Sequence, residues 1–152
     1  MNKSDLDRCI DIAVREFHMH RADTFRHWSF IFQRDHLLEW ARSIPGDPTG
    51  FTMYGYKNGR NSTHAESLAA RRARGLLDRR REWFCVNVRL GSMKDPRMSR
   101  PCNICSNLLR AKGCAGVHYT VNGGVFKYLN LREKNEEYVY KGLRPSLRMS
   151  GV

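Results

Sequence analysis

Helical and extended apolar patterns alternate along this chain, and that alternation confines the fold more than any other feature of the sequence. Leu6, Cys9, Ile10, Ala13, Val14 and Phe17 recur at helical spacing from Ser4 to about Met19, so the chain opens with an amphipathic helix whose apolar stripe must be buried. His27 to Gln33 is rich in aromatic and branched residues and reads as a strand. Arg34-Asp35 reads as a tight turn, and His36 to Ala41 completes a hairpin. Arg42 to Thr63 holds four glycines, two prolines and two asparagines and reads as a long loop of the kind that lines active sites. Phe51, Tyr54 and Tyr56 within it either stack on a flat ligand or cover the core. Ala65, Leu68, Ala69, Ala73, Leu76 and Leu77 predict a helix from Thr63 to Arg80. Trp83 to Leu90 reads as a third strand, Gly91 to Arg100 as a loop, and Cys102 to Lys112 as a short helix behind Pro101. Gly116 to Val121 is a fourth strand, Asn122-Gly123-Gly124 a turn, and Val125 to Leu129 a fifth strand; Leu131 to Tyr140 offers a further helix before a charged tail. This order predicts an α/β fold with a mixed sheet covered by helices. A chain of 152 residues, 41% of them apolar, is long enough for one core and short for two, so residues 1–152 are expected to form a single domain.

Five cysteines, at 9, 85, 102, 105 and 114, are an odd and scattered set. They argue against a disulfide framework and leave Cys102 and Cys105 as a tight pair with the spacing of metal ligands. Cys9 and Cys85 sit among apolar neighbours and read as inert core thiols, while no role follows for Cys114. Pro101-Cys102-Asn103-Ile104-Cys105 opens one predicted helix and Thr63-His64-Ala65-Glu66 another. Thiols at a helix start have lowered pKa values, which suits either redox exchange or zinc ligation. Two thiolates and one imidazole around zinc leave a fourth position open for water. Thirty-seven residues separate His64 from Cys102, enough for the intervening helix and strand to return the second helix start beside the first. Glu66 then stands where it could move a proton from an activated water to a leaving nitrogen. The competing structural reading makes Glu66 the last residue of a capping box begun by Thr63. A structural zinc site would require a fourth protein ligand, and none is well placed, Cys114 lying nine residues past Cys105. A redox Cys-x-x-Cys would leave His64 and Glu66 idle and would follow a strand instead of a proline loop.

His64-Ala65-Glu66 and Pro101-Cys102-Asn103-Ile104-Cys105, in this order and this strand-helix setting, resemble the H-x-E and P-C-x-x-C motifs of the zinc-dependent cytidine and deoxycytidylate deaminase superfamily. The similarity runs from about His27 to Phe126 and takes in the hairpin, Ser99-Arg100 before Pro101, and Gly116-Val117-His118-Tyr119-Thr120 after the cysteine helix. The resemblance implies a cytidine-deaminase-like three-layer sandwich, with zinc held by His64, Cys102 and Cys105 between two helix starts and Glu66 as the catalytic acid-base. It implies hydrolytic deamination of a cytosine nucleoside or nucleotide, deoxycytidylate first. By the same resemblance Ala65 and Cys102 offer backbone groups near the reacting centre and the Pro101 carbonyl lies near the departing amine. Relatives carry asparagine just after the second strand; the matching place here is Ser43, which is too short for the same paired amide contact. Asn58 or Asn61, before His64, stand to replace it or else serve as turn and helix-start residues. A homo-oligomer is an expectation from the resemblance alone.

The formal charge is +12, and 20 of the 27 basic residues are arginine. That balance favours an anionic partner, namely a nucleotide phosphate, a polynucleotide backbone or a membrane surface, or else only a basic soluble exterior. Arg42, Arg60, Arg97 and Arg100 are loop arginines that could take a 5′-phosphate. The charge together with the loop aromatics supports a second reading, a cytosine or adenine deaminase acting on single-stranded DNA or RNA. A third is a non-catalytic zinc-containing nucleic-acid-binding protein. Arg79-Arg80-Arg81 reads as a solvated helix end. No run approaches the roughly 18 apolar residues of a membrane helix, and the N-terminus has no signal-peptide core. The expectation is a cytoplasmic protein without membrane association.

Overall fold

Strand β1 (His27–Gln33) is buried along nearly its whole length, and the fold is built outward from its two faces. The computed structural model describes residues 1–19, 26–45, 62–124 and 126–132. Across a two-residue turn β1 pairs antiparallel with β2 (His36–Arg42). The turn residues Arg34 and Asp35 both have positive φ, 54° and 61°, as a hairpin of this length requires to match strand twist. On its other side β1 pairs antiparallel with β5 (Trp83–Leu90). Strand β5 runs parallel to β7 (Cys114–Thr120), and β7 pairs antiparallel with β8 (Phe126–Asn130). The strand order is β2-β1-β5-β7-β8, with β6 (Pro96–Arg97) joined to the end of β5. A separate ribbon pairs β3 (Ile44–Pro45) with β4 (Ser62–Thr63).

Side chains of a strand alternate between the faces of a sheet, and each face here has its own helices. Helix α1 (Lys3–Met19) lays Cys9, Ile12, Ala13 and Phe17 on Trp28, Phe30, Phe32, Val86, Val88 and Leu90. Helix α2 (Ala65–Ala73) and helix α3 (Asn103–Ala111) cover the other face, where Leu68, Ala69, Ala73 and Leu109 meet Ile31, Ala41, Cys85 and Val117. The result is the expected three layers, helix on sheet on helices, in a mixed sheet. Each large side chain buried this way contributes about 1.5–3 kcal/mol. The β5–β7 pair is parallel and needs a crossover, which α3 supplies. In β7 a Cβ on Gly116 would collide with the ring of Tyr128 from β8, so glycine is what lets that ring lie against the strand.

Several boundaries differ from the sequence expectation. Helix α2 ends at Ala73, and Leu76 is held by a turn bond from its N–H to the Ala73 carbonyl (2.8 Å); Gly75, a poor helix former, interrupts the apolar pattern that reaches Leu77. Strand β7 starts at Cys114, whose pairing opposite Trp83 and buried thiol give that cysteine a place in the core. Short pairings, β3 with β4 and β6 with β5, occupy parts of the two stretches read as loops. Phe51, Tyr54, Tyr56 and the expected helix from Leu131 to Tyr140 lie outside the described residues, apart from Leu131 and Arg132. No helix among the described residues is long and apolar enough to cross a membrane.

Candidate metal centre

Two helix starts meet above the polar face of the sheet, and each brings ligand atoms. His64 is the N-cap of α2, in extended backbone. Glu66 is therefore the second helical residue, one short of the position a capping-box glutamate takes, and its carboxylate turns inward. The structural reading of Glu66 as a cap is thereby corrected. Cys102 is the N-cap of α3 and its sulfur accepts the Cys105 backbone N–H at 3.4 Å. That bond and the helix dipole favour a thiolate there.

The Nδ1 of His64 lies 3.1 Å from the Cys105 sulfur and 4.0 Å from that of Cys102, and all three ligand atoms fall within 4.8 Å of one another. Tetrahedral bonds of ~2.3 Å to sulfur and ~2.0–2.1 Å to nitrogen set ligand atoms roughly 3.5–3.8 Å apart, a spacing that these distances bracket. The protonation pattern fits a cation as well. Hydrogen bonding from the Cys105 side chain, with His64 adding to it, lowers the Cys102 thiol to about 5 against opposing burial. The bond with Cys102 raises His64, and the separate Cys102–Cys105 side-chain bond together with burial pushes Cys105 well above the ordinary thiol range. Three donors that otherwise must share protons among themselves are neutralised together by one dication. Two sulfurs and an imidazole suit borderline-soft zinc, so His64, Cys102 and Cys105 are a zinc-binding site. Among the described residues no fourth histidine, cysteine or carboxylate joins the group.

The remaining thiols are of another kind. Burial raises Cys9, Cys85 and Cys114, the last to about 12, so all three are unreactive core residues and none is a ligand.

Glu66 is 2% exposed. Its Oε2 accepts from Asn87 Nδ2 at 3.1 Å, while Oε1 has no hydrogen-bond partner among the described residues and lies 3.8 Å from His27 Nε2. Ser43 stands beside the site, its hydroxyl accepting the Ala65 backbone N–H at 3.2 Å. Ala65 is fully buried, and that N–H is engaged by Ser43. Pro101 is buried directly ahead of α3. Asn58, Asn61 and Arg60 lie outside the described residues. No motif assigns a role to Asn87, Ser29, Ser99 or His27. The available signal is Asn87 itself, an amide at the centre of the apolar strand Trp83–Leu90, which must find partners if buried.

A three-layer sandwich with a His-Cys-Cys zinc site between two helix starts and a buried carboxylate alongside is what the resemblance to zinc-dependent cytidine and deoxycytidylate deaminases implies. The chain matches no family model and none of the curated proteins. Among solved structures it is similar to the dCMP deaminase of the cyanophage S-TIM5 in apo form, with 18% identity over 78% of this chain and 84% of that one and a TM-score of 0.48. The same phage enzyme in complex with dCMP and dUMP gives 18% identity over 78% and 82%, with a TM-score of 0.49.

Proposed function

We propose that this chain is a hydrolytic nucleobase deaminase acting on a cytosine nucleoside or nucleotide, deoxycytidylate in the first instance. The observation that carries the reading is Glu66, a buried carboxylate two residues from a three-ligand zinc site and kept out of the helix cap it could have formed. Zinc in such a site makes hydroxide available near neutral pH by depressing the pKa of water to about 7. His64, Cys102 and Cys105 would hold the ion. Glu66 accepts the proton given up by the attacking water and delivers it to the ring. As the water oxygen bonds to the ring carbon and the carbon–nitrogen bond breaks, the second proton reaches the departing amine, so that the oxygen stays on the ring as the carbonyl and the amine leaves as ammonia. By the same resemblance the Pro101 carbonyl receives the amine, and Ser43, or else Asn58 or Asn61, contacts the base or sugar.

A phosphate on the substrate is supported by a cavity of about 300 Å³ lined by Arg26, Arg89, Gly91, Arg97 and Asn122. Arg89 pairs across the sheet with His27, the residue that faces Glu66. The +12 charge supports the second reading, a single-stranded DNA or RNA substrate, through the same phosphate chemistry.

The test is ammonia release by zinc-loaded protein across cytosine and adenine nucleosides, their mono- and triphosphates, and single-stranded oligomers. Glu66→Gln should keep zinc and lose about 100- to 10,000-fold in turnover. Activity on one mononucleotide with silent oligomers supports the first reading, and activity confined to oligomers supports the second. Near-normal turnover by Glu66→Gln sinks the assigned role of the carboxylate.

A further inference from the structure

We propose that Asn87 is a positioning residue for Glu66, its side-chain amide fixing one carboxylate oxygen so that the other is left to carry the proton; this rests on the deaminase reading above. Asn87 is fully buried on β5, and each of its amide atoms is engaged. Its Nδ2 donates to Glu66 Oε2 at 3.1 Å and to the Ser99 carbonyl at 3.0 Å. Its Oδ1 accepts the Ser29 hydroxyl at 2.6 Å and the Cys85 thiol at 3.4 Å.

These partners settle which way the amide faces. A backbone carbonyl can only accept, so the edge of Asn87 that meets Ser99 must be the NH₂, and its second hydrogen then points at Glu66. Ser29, itself fully buried, holds the opposite edge. Ser99 is tied back by its hydroxyl to the Asn87 carbonyl at 2.9 Å, and the same hydroxyl accepts the Thr120 N–H at 2.8 Å. The amide therefore cannot rotate without breaking bonds between fully buried side chains, where each lost partner is costly.

The consequence falls on Glu66. The Asn87 amide keeps Oε2 occupied and leaves Oε1, which has no hydrogen-bond partner among the described residues and faces His27, as the oxygen free to take and return a proton. The two oxygens of one carboxylate thus receive different duties from the strand beneath them. A purely structural Asn87, present only to satisfy Ser29 and Ser99, would affect stability and nothing at Glu66.

The experiment compares wild type with Asn87→Ala, Asn87→Asp and Ser29→Ala, each checked for stoichiometric zinc and a folded circular-dichroism spectrum. Steady-state kinetics are measured on the best substrate, and crystal structures are determined for the zinc-loaded proteins. Asn87→Ala should lower kcat roughly 10- to 100-fold, the range for partners that orient a metal site, with KM little changed. Asn87→Asp, which sets a carboxylate against Glu66, should lose more. Ser29→Ala loosens the amide without removing it and should lose less, which keeps the test open if Asn87→Ala does not fold. In the crystals the Glu66 carboxylate should rotate away from its wild-type position. A folded, zinc-loaded variant with wild-type kcat, KM and Glu66 orientation overturns the proposal. Should wild type turn over no nucleobase at all, the deaminase reading fails, and the crystals still decide whether Asn87 sets the carboxylate.

Discussion

The face of the sheet beneath α1 and the face beneath α2 and α3 are built from the same strands, one residue out of step. Trp28, Phe30 and Phe32 of β1 and Val86, Val88 and Leu90 of β5 go down to α1 and are joined there by apolar side chains. Ser29, Ile31 and Gln33 of β1 and Cys85 and Asn87 of β5 go up, where the buried company includes Glu66, Ser67, Ser99 and Ser106. Parity along a strand decides which face a residue serves. The lower face resembles an ordinary core. The upper face has an apolar cluster too, with Ile31, Leu68, Leu109 and Val117 in it, and adds polar groups that are costly to bury unless bonded; of these Asn87, tied to Ser29 and Ser99, bonds the Glu66 carboxylate. Both faces hold the fold together, and the chemistry lies where the apolar alternation of the upper one is interrupted.

The sharpest way to break that comparison is to remove a ligand from the upper face. Cys105 is fully buried with its sulfur 3.1 Å from His64, and a serine hydroxyl does not ionise near neutral pH to replace it. Cys105→Ser should lose stoichiometric zinc and with it all turnover. Metal analysis of the purified protein checks this, and full zinc occupancy in the variant would remove Cys105 from the ligand set. A smaller effect is expected from the lower face. Phe30→Ala opens a cavity beneath α1 and should cost about 3–5 kcal/mol in denaturant unfolding, while zinc content and the kcat of the folded fraction stay at wild-type values. A loss of zinc from Phe30→Ala would show that the two faces are not separable in this way.

Legibility in the sequence divides along the same line. The α1 stripe and strands β1 and β5 are legible because long apolar periods leave no other solution. The three ligands are legible from residue type and spacing, since few arrangements other than a metal site use a histidine and a cysteine pair at two helix starts. The short strands Ile44–Pro45, Ser62–Thr63 and Pro96–Arg97 are not, because a two-residue pairing has no period and is set by tertiary contact. The capping box at Thr63 misleads for a physical reason: helix α2 takes His64 as its N-cap, which shifts Glu66 by one position and frees its carboxylate. Asn87 escapes notice because a strand is read by its apolar members, and its partners Ser29 and Ser99 come from segments 58 and 12 residues away, a distance at which local pattern carries no information.

The smallest predicted effect lies at the edge of the lower face and sharpens the comparison through pH. His118 points to the same side as Val86, its partner across β5 and β7, with the rings of Tyr128 and Phe84 at 4.6 and 6.2 Å between centroids. Burial, with the N-terminal amine adding to it, lowers its pKa to about 4. The unfolded chain takes up this proton near pH 6.5 and the folded chain only near 4, so the stability conferred by a neutral His118 is complete above 6.5, falls as pH drops through that window, and levels off below it. Unfolding of wild type and His118→Gln in parallel at several pH values isolates the contribution. The wild-type protein should lose stability relative to the variant between pH 6.5 and 4, with a slope of at most one proton, whereas parallel curves would place His118 in water. The zinc site need not be loaded for this measurement, because the group that titrates lies on the α1 side of the sheet, beside Val86, and the ligands lie on the other.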